Sequence, residues 1–363
     1  MSVYHRPLIS AEFAAGCAAG DGVALAGGPL RFRHVERLQR GHAAEIVSIY
    51  DLSDAVLTPL VTRRAGLAGL AGDRTAIMGI VNVTPDSFSD GGRHAAPQTA
   101  IDAARAMIAA GADIVDIGAE STRPGAAIVD ADAELARLAP VLPGLTGINW
   151  SIDTRKAVVM AVALGAGAAL VNDVSALTHD PAALAIVAAR GCPVVLMHAQ
   201  GTPADMQKAP HYDDVLLDVF DWLALRIDAC VAAGVARDRI IVDPGIGFGK
   251  TLAHNLALLR GLALFHGLGV PVLLGASRKA LIGRIAGEMP AGARIAGKVP
   301  AGARIAGEMP VAARIPGGVP AGARLPGSLA LALHGAACGV QIVRVHDVAE
   351  TAQALAVWRS VAG

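Results

Sequence analysis

The sequence has few cysteines, no excess of either charge and no long apolar run. Its four cysteines, in 363 residues, form no C-x-x-C pair. This argues against a disulfide framework or a zinc site and favours buried thiols in a reducing cytosol. Lys plus Arg and Asp plus Glu balance at 31 each, which argues against a general role at nucleic-acid or membrane surfaces. No uninterrupted apolar run approaches ~18 residues, so no membrane-spanning helix is expected.

The first residues also lack the features of a secretion signal. Glu12 and Asp21 lie in this region, which has no basic start followed by an apolar run. The expected location is therefore the cytoplasm. Apolar residues make up 53% of the chain, enough for a sizeable core, and the length suits either one large domain with an appendage or two smaller domains.

From residue 76 onward, short apolar segments alternate with Ala-rich segments of helical period. The predicted strands are 77–83, 113–118, 148–152, 169–172, 193–197, 239–243, 271–275 and 341–345. The predicted helices are 97–111, 130–142, 154–165, 179–190, 213–234, 251–265 and 347–361. Eight strands too apolar to face water, joined by helices, predict an α/β fold over 76–363, a closed parallel (β/α)8 TIM barrel. A doubly wound open sheet is the alternative.

Residues 1–75 lie outside this alternation and are predicted to form an N-terminal extension. Residues 23–32, with Gly27-Gly28-Pro29 inside, suit a hairpin, and 53–70 suits an Ala/Leu-rich helix. A small packed extension and an interaction surface both remain open.

Residues 286–325 consist of four tandem decapeptides: AGEMPAGARI, AGKVPAGARI, AGEMPVAARI and PGGVPAGARL. A proline every ten residues excludes a continuous helix, and the glycine content favours a loose loop. The favoured interpretation is an expanded connection, because lengthening a surface loop adds little closure entropy. A docking arm with one arginine per unit is the alternative.

The strand at 77–83 ends in a run of small polar residues, a proline and a double glycine, residues 82–92. Such strand ends form the active sites of α/β folds, and these side chains suit a phosphate and a hard cation. A solvated loop would give the same composition.

Other predicted strands also end in polar side chains. Asp153, Asn172 and Asp243 follow three different strands and together could bind a flat heterocycle, although each could instead be a metal ligand or a helix cap. Lys279 could bond a ring carbonyl or nitrogen. A further group could surround an anionic leaving group, and its members are Asn82, Thr122, Arg123, Arg344 and His346.

Seven of these motifs occur in order along the chain. They are NVTPDSFSDGG (82–92), DIGAESTRPG (116–125), SIDT (151–154), NDV (172–174), DPGIGFGK (243–250), GASRK (275–279) and RVHDV (344–348). In these motifs the chain resembles the bacterial dihydropteroate synthases, the folate-pathway enzymes that sulfonamides target. The resemblance covers about 76–285 and 326–361.

The resemblance implies a transferase that joins 6-hydroxymethyl-7,8-dihydropterin diphosphate to 4-aminobenzoate and releases pyrophosphate, with Mg²⁺ as cofactor and a homodimeric assembly. The implied pterin-binding residues are Asp153, Asn172, Met197, Asp243 and Lys279. Those implied for the diphosphate and aminobenzoate are Thr122, Arg123, Pro124, Phe248, Ser277, Arg344 and His346. Asn82 would contact the metal, and loops around Phe88 and Arg123 would cover the site. The implied catalytic residues are Asp243, Lys279, Arg344 and His346.

Two departures from the family pattern stand out. Ala199 replaces a common methionine, and the decapeptide array replaces a usually short connection. Two alternative functions are another pterin-binding barrel, such as a methyltetrahydrofolate–corrinoid methyltransferase, and a catalytically silent paralogue that acts as a binding protein. Removing residues 296–325 is predicted to leave activity largely intact.

Overall fold

The computed structural model describes residues 2–9, 22–83, 95–121, 129–202, 206–288 and 319–362. The chain begins with a small antiparallel sheet and one short helix. The strands are β1 (Val3–Ile9), β2 (Val23–Ala24), β3 (Arg31–Gln39) and β4 (Glu45–Ser48), and the helix is α1 (Asp54–Val61). Strand β3 pairs with each of the other three, so it is the centre of the sheet.

Eight parallel strands follow and form the barrel. They are β5 (Ala76–Asn82), β6 (Ile114–Gly118), β7 (Trp150–Asp153), β8 (Leu170–Asp173), β9 (Val194–Met197), β10 (Ile240–Asp243), β11 (Leu273–Leu274) and β12 (Ile342–Val345). They pair in chain order, and β12 returns to β5. A parallel bridge between Val242 and Val272 joins β10 to the β11 segment and closes the ring. The predicted TIM barrel is confirmed, and the open sheet is excluded.

The helices surround the strands. They are α2 (Ala95–Ala109), α3 (Ala131–Leu138), α4 (Ala157–Gly165), α5 (Ala183–Arg190), α6 (Val215–Ala232), α7 (Leu252–Arg260), α8 (Ala280–Glu288), α9 (Leu325–Ala337) and α10 (Val348–Ala362). Within the part of the chain that the structure describes, no helix is both long and apolar enough to cross a bilayer.

Alternate residues of the strands serve two separate apolar clusters. On β5, Met78 packs inside the barrel with residues from six other strands, whereas Ile77 packs outward against the helices. Leu67 and Leu70, from the connection after α1, join the inner cluster and plug the end where the strands begin. Because this end is filled by apolar side chains, the opposite end is the one left for polar groups.

The N-terminal sheet packs on the outside of the barrel. Tyr4 lies in an apolar cluster with Leu217 and Leu264, and its hydroxyl donates to Asp221 at 2.8 Å. Arg40 forms ion pairs with the α6 carboxylates of Asp218, at 2.6 Å, and Asp221, at 2.8 Å. The described part of residues 1–75 is therefore a packed extension.

Some predicted elements differ from the observed ones. The predicted helix 53–70 ends at Val61, because the following residues turn inward so that Leu67 and Leu70 can plug the barrel. The predicted helix 251–265 breaks at Gly261, where a Cβ would lie 2.4 Å from the Leu216 side chain. Helices α8 and α9 were not among the predicted helices; α8 ends within the first decapeptide, and α9 begins at the last residue of the fourth.

Arg64 joins the extension to the plugged end of the barrel without a carboxylate partner. This buried guanidinium donates to the carbonyls of Pro59, at 2.6 Å, Thr62, at 3.0 Å, and His266, at 3.0 Å. Burial lowers the pKa of Arg64 to about 10, and the charge of Arg237 lowers it further. Burying the charge of Arg64 is therefore costly, but its guanidinium offsets part of the cost by donating to three carbonyls from two separate segments.

We expect Arg64→Met to lower the free energy of unfolding by about 2 kcal/mol, since it removes three hydrogen bonds from a buried guanidinium. Arg63→Met is the matched control, because Arg63 is exposed and its replacement should stay within about 0.5 kcal/mol of the parent. Urea unfolding of the three proteins measures the difference. Equal stabilities for the two variants would show that Arg64 does not anchor the extension.

Candidate active site

The carboxyl ends of the barrel strands surround a cavity of about 670 Å³. Seven of the residues that the sequence predicted for the site line it: Asn82, Asp153, Phe248, Ser277, Lys279, Arg344 and His346. Asn172, Met197 and Asp243 are buried at the ends of β8, β9 and β10. Phe88, Thr122, Arg123 and Pro124 lie outside the described residues. The structure thus brings the described members of the predicted site to one end of the barrel.

One arginine pairs with two carboxylates beside the cavity. Arg344 on β12 donates from Nε to Asp116 Oδ2 and from Nη2 to Asp153 Oδ2, both at 2.6 Å. Asn172 donates to the same Asp116 Oδ2 at 2.8 Å, and Ser151 donates to Asp116 Oδ1 at 2.6 Å. Asp116 therefore fixes the orientation of two predicted site residues, Asn172 and Arg344.

Asp116 was not among the residues predicted for the site. The available signal was a carboxylate inside an otherwise apolar strand, since a buried acid without a partner is too costly to be retained. Its partner, however, is 228 residues away along the chain.

Burial shifts the pKa values of the site. Desolvation raises the pKa of Asp153 to about 7, opposed by Arg344 and reinforced by Asp116. Desolvation also raises the pKa of Asp243, against the nearby charge of Lys279. The same effect lowers the pKa of Lys279 to about 8, opposed by Asp243. Each of these groups would gain from a ligand that supplies hydrogen bonds in place of water.

The motif of residues 243–250 forms a loop pinned to the neighbouring strand end. Asp243 Oδ1 accepts from the Gly245 amide at 2.7 Å. A Cβ at Gly245, where φ is +70°, would lie 1.8 Å from the His198 carbonyl oxygen, so only glycine fits. The loop therefore holds Asp243 in one orientation, with Oδ2 facing the cavity-lining Gly275.

Lys250, which was not predicted as a site residue, is the last residue of this loop, and its side chain folds back against it. Its Nζ contacts His198 Nδ1 at 2.9 Å and donates to the Phe248 carbonyl at 3.0 Å. Desolvation lowers the pKa of Lys250 well below its ordinary value. Desolvation and the Lys250 charge lower the pKa of His198 to about 2, so this histidine is neutral. The Lys250 and His198 side chains therefore connect the loop to the end of β9.

Lys279 and Ser277 belong to the turn after β11. The Lys279 ammonium donates to the Ile246 carbonyl and lies 4.6 Å from the Phe248 ring centroid. Ser277 Oγ lies 3.1 Å from His346 Nδ1 and accepts from the His346 amide at 3.2 Å. This turn therefore joins the 243–250 loop to the end of β12.

A buried ion cluster lies at the ends of β6 and β7. Glu120 accepts from Arg155 at 2.8 Å and Lys156 at 2.9 Å, and Lys156 also pairs with Glu134 at 2.6 Å. Glu120 lines the cavity and accepts from the Val129 amide at 3.3 Å. Glu120 and Val129 lie on either side of residues 122–128, and this hydrogen bond connects them. The intervening segment contains the predicted site residues Thr122, Arg123 and Pro124.

The arrangement suits binding of a heterocycle and an anion. Buried carboxylates and an amide accept and donate at the base, while Lys279 and Arg344 supply positive charge. Among the described residues, no group of three or more His, Cys, Asp or Glu side chains could hold a metal ion. A hard cation here would need oxygen ligands from the bound anion.

Comparisons with known proteins agree with this geometry. A family model described as "Pterin binding enzyme" matches residues 78–346. Dihydropteroate synthase of Escherichia coli K12 is 42% identical over 284 residues, which cover 77% of this chain and 89% of that relative.

Two solved structures are similarly related. That of Xanthomonas albilineans dihydropteroate synthase with 4-aminobenzoic acid is 44% identical with a TM-score of 0.67, covering 80% of this chain and 93% of that one. That of Yersinia pestis dihydropteroate synthase in a sulfonamide drug complex is 42% identical with a TM-score of 0.67, covering 79% and 94%.

We expect Glu120→Gln to lower the free energy of unfolding by about 3 kcal/mol at neutral pH, since it removes the carboxylate that pairs with buried Arg155 and leaves buried Lys156 with Glu134 alone. Burial tends to raise the pKa of Glu120, but the bonds from Lys156 and Arg155 outweigh it and lower the pKa below 4.5. The parent therefore holds this stabilisation above about pH 4.5 and loses it as the pH falls through the lowered value.

Denaturant unfolding of parent and variant at several pH values measures this effect. The difference between the two proteins should narrow in acid. Glu45→Gln is the control, because Glu45 pairs with Arg37 in an exposed bridge and should contribute at most about 1 kcal/mol. A difference that is independent of pH would contradict the ion-cluster explanation.

Proposed function

Because the chain belongs to the dihydropteroate synthase family, we propose that it is a transferase that joins 6-hydroxymethyl-7,8-dihydropterin diphosphate to 4-aminobenzoate. The products are 7,8-dihydropteroate and pyrophosphate. The observation that carries the proposal is the convergence of buried carboxylates, an amide, Lys279 and Arg344 around one cavity. In the proposed complex, the pterin lies at the base of this cavity and the diphosphate lies toward its cationic side.

The proposed pterin site consists of Asp153, Asn172, Asp243 and Lys279, with Met197 beneath. A pterin presents several N–H donors along one edge, which two carboxylates and an amide oxygen can accept. Desolvation raises the pKa values of Asp153 and Asp243 even though Arg344 and the Gly245 amide donate to them, so further N–H groups from a ligand would stabilise their charged forms. Lys279 would donate to a ring nitrogen or carbonyl.

The proposed diphosphate site consists of Arg344 and His346, with Asn82 and Arg123. The Arg344 guanidinium has five N–H groups, and its two bonds to Asp116 and Asp153 hold it in a fixed orientation. A fixed cation stabilises the charge on departing pyrophosphate without reorganising during the reaction.

The donor set also fits Mg²⁺, which the family implies. The amide oxygen of Asn82 is a hard ligand at the cavity wall, and Mg²⁺ is usually held by one or two protein ligands together with substrate phosphates. When bound, the ion would neutralise charge on the diphosphate. Asn82 would hold it at the end of β5.

Aminobenzoate is proposed to lie against Phe248 and Ser277, and the family resemblance adds Thr122 and Pro124 to this pocket and the loops around Phe88 and Arg123 as its cover. Its aryl amine attacks the exocyclic methylene carbon of the pterin, a C–N bond forms, the C–O bond to the diphosphate breaks, and the amine loses a proton. No side chain is required as a nucleophile. The protein's contribution is to align the two substrates and stabilise the leaving group.

The two alternative functions have less support. A methyltetrahydrofolate–corrinoid methyltransferase has no use for an anion site, whereas Arg344 and His346 line this cavity beside Asn82. A silent paralogue has no need to keep the described site residues together around a cavity. We further propose a homodimer acting in the cytoplasm, supported by the family's general tendency and by the free thiols of the described cysteines.

We expect Asp243→Asn to lower kcat/KM for pyrophosphate release by about a hundredfold, since losing a charged hydrogen bond to the pterin costs about 2–3 kcal/mol. Asparagine can still accept from the Gly245 amide, so the loop should remain folded. The assay contains Mg²⁺, dihydropterin diphosphate and 4-aminobenzoate. Asp213→Asn, at an exposed position, is the control. The proposed reaction would be contradicted if the parent released pyrophosphate without aminobenzoate, or released no pyrophosphate with both substrates present.

The pH dependence of the parent tests the role of Lys279. Since burial lowers the pKa of Lys279 to about 8, its positive charge is present below that pH and lost above it. We expect kcat/KM for dihydropterin diphosphate to fall above about pH 8, because this parameter reports the free enzyme. In Lys279→Arg this decrease should move to higher pH. An unchanged alkaline decrease in that variant would assign it to another group.

A further inference from the structure

The backbone of Arg278 has an unusual conformation between two proposed substrate-binding residues. Its φ is +55°, in the left-handed region that non-glycine residues rarely adopt and that has an energetic cost. It follows Ser277 and precedes Lys279, so its conformation decides where both side chains lie. Contacts from outside the turn are needed to hold such a conformation.

Three contacts hold Arg278 from different directions. Its amide donates to Ser328 Oγ at 2.9 Å, and its carbonyl accepts from Arg324 Nη1 at 2.9 Å. Its guanidinium pairs with Asp347, the residue after His346, with Nε to Oδ2 at 3.0 Å. Both backbone polar groups of Arg278 are therefore satisfied by residues at the start of α9 or just before it.

Arg324 belongs to the fourth decapeptide, and the end of that decapeptide folds onto the site. The Val319 amide donates to the Gly283 carbonyl of α8 at 3.1 Å, and Arg324 Nε donates to the Val319 carbonyl at 2.7 Å. Residues Ala321–Ala323 form a 3-10 turn between them, and Ala321 and Arg324 line the cavity. The C-terminal end of the array is therefore packed against α8 and the Arg278 turn, whereas the glycine content favoured a loose loop.

We propose that Arg324 is a positioning residue for the proposed synthase reaction, and that the arginine of any decapeptide placed directly before Pro326 can fill its role. Through the Arg278 carbonyl, it holds the turn that presents Ser277 and Lys279 to the substrates. This proposal rests on the proposed function for its kinetic consequence, but the contacts themselves do not depend on it.

The interchangeability follows from the period of the array. Val299–Ile305 reads VPAGARI, and Val319–Leu325 reads VPAGARL, so the two segments differ only at the last residue. Removing exactly two units, residues 306–325, joins Ile305 to Pro326 and puts Arg304 where Arg324 was. Removing 296–325 puts Arg294 there. Loss of whole units therefore conserves the arginine and the turn before it.

The first experiment compares Arg324→Gln with Arg314→Gln, which changes the equivalent arginine of the third unit. We expect Arg324→Gln to lower kcat/KM about ten- to hundredfold, since small misplacements of binding groups have effects of this size. KM should rise for both substrates. Arg324→Lys should recover part of the loss, because an ammonium can donate to the carbonyl but lacks the guanidinium fork. Arg314→Gln should match the parent.

The second experiment is a rescue by deletion. A chain lacking residues 306–325 should recover parental kcat/KM, whereas the same deletion combined with Arg304→Gln should be as impaired as Arg324→Gln. Hydrogen–deuterium exchange of the peptide 275–283 gives a readout independent of turnover. Its exchange should accelerate in Arg324→Gln and in the deletion with Arg304→Gln, but not in the deletion alone.

The outcomes separate the two proposals. Parental kinetics and exchange in Arg324→Gln would overturn the positioning role. A folded 306–325 deletion as impaired as Arg324→Gln would overturn the interchangeability of the units. Absence of turnover in the parent, with exchange still responding to Arg324, would overturn the proposed reaction and leave the positioning role supported.

Discussion

The site depends on one partly buried arginine shared by two carboxylates. Removing a charge from water costs several kcal/mol, and Arg344 offsets this cost for both Asp116 and Asp153. With Asp243 and Lys279 included, three acids face two cations, so the group as a whole has an excess of acceptors. Burial raises the pKa of Asp153 to about 7, and the nearby charge of Asp116 adds to this effect against the opposing charge of Arg344. A flat ligand rich in N–H donors would relieve the excess of acceptors, which is why the carboxylates suit a pterin.

Buried charged groups lower the stability of a fold, so the rest of the barrel has to supply stabilising contacts. Leu67 and Leu70 fill the end where the strands begin, and Arg64 attaches the same connection to the segment containing His266. The extension thus contributes apolar packing and hydrogen bonds at the end of the barrel farthest from the chemistry. The apolar plug and the polar residues of the site lie at opposite ends of the barrel, so most strand residues are apolar and the polar ones lie toward the carboxyl ends.

The sequence predicted the strands to within about two residues because each is buried on both faces and therefore reads as an apolar run. The described residues of the recognised motifs also converge as expected. The sequence analysis missed the roles of Asp116, Lys250 and Arg324, whose functions arise from contacts between distant parts of the chain. Asp116 and Arg344 are 228 residues apart, and Arg324 reaches Arg278 across 46 residues. The prediction of helix at 62–70 was wrong, because Leu67 and Leu70 are three residues apart, a spacing that is also typical of a helix.

The decapeptide array illustrates how a connection can be long and still be constrained. Each doubling of loop length adds only about 0.6 kcal/mol of closure entropy, so three extra units have a small effect on stability. The end of the array is constrained by two contacts. Arg324 donates to the Arg278 carbonyl, and the Val319 amide donates to the Gly283 carbonyl of α8. A deletion that runs up to residue 325 and is not a multiple of ten would place another residue in the position of Arg324 and leave the Arg278 carbonyl without this donor. For a loss of whole units that ends at residue 325, the period of the repeat therefore conserves an arginine in position to donate to the Arg278 carbonyl.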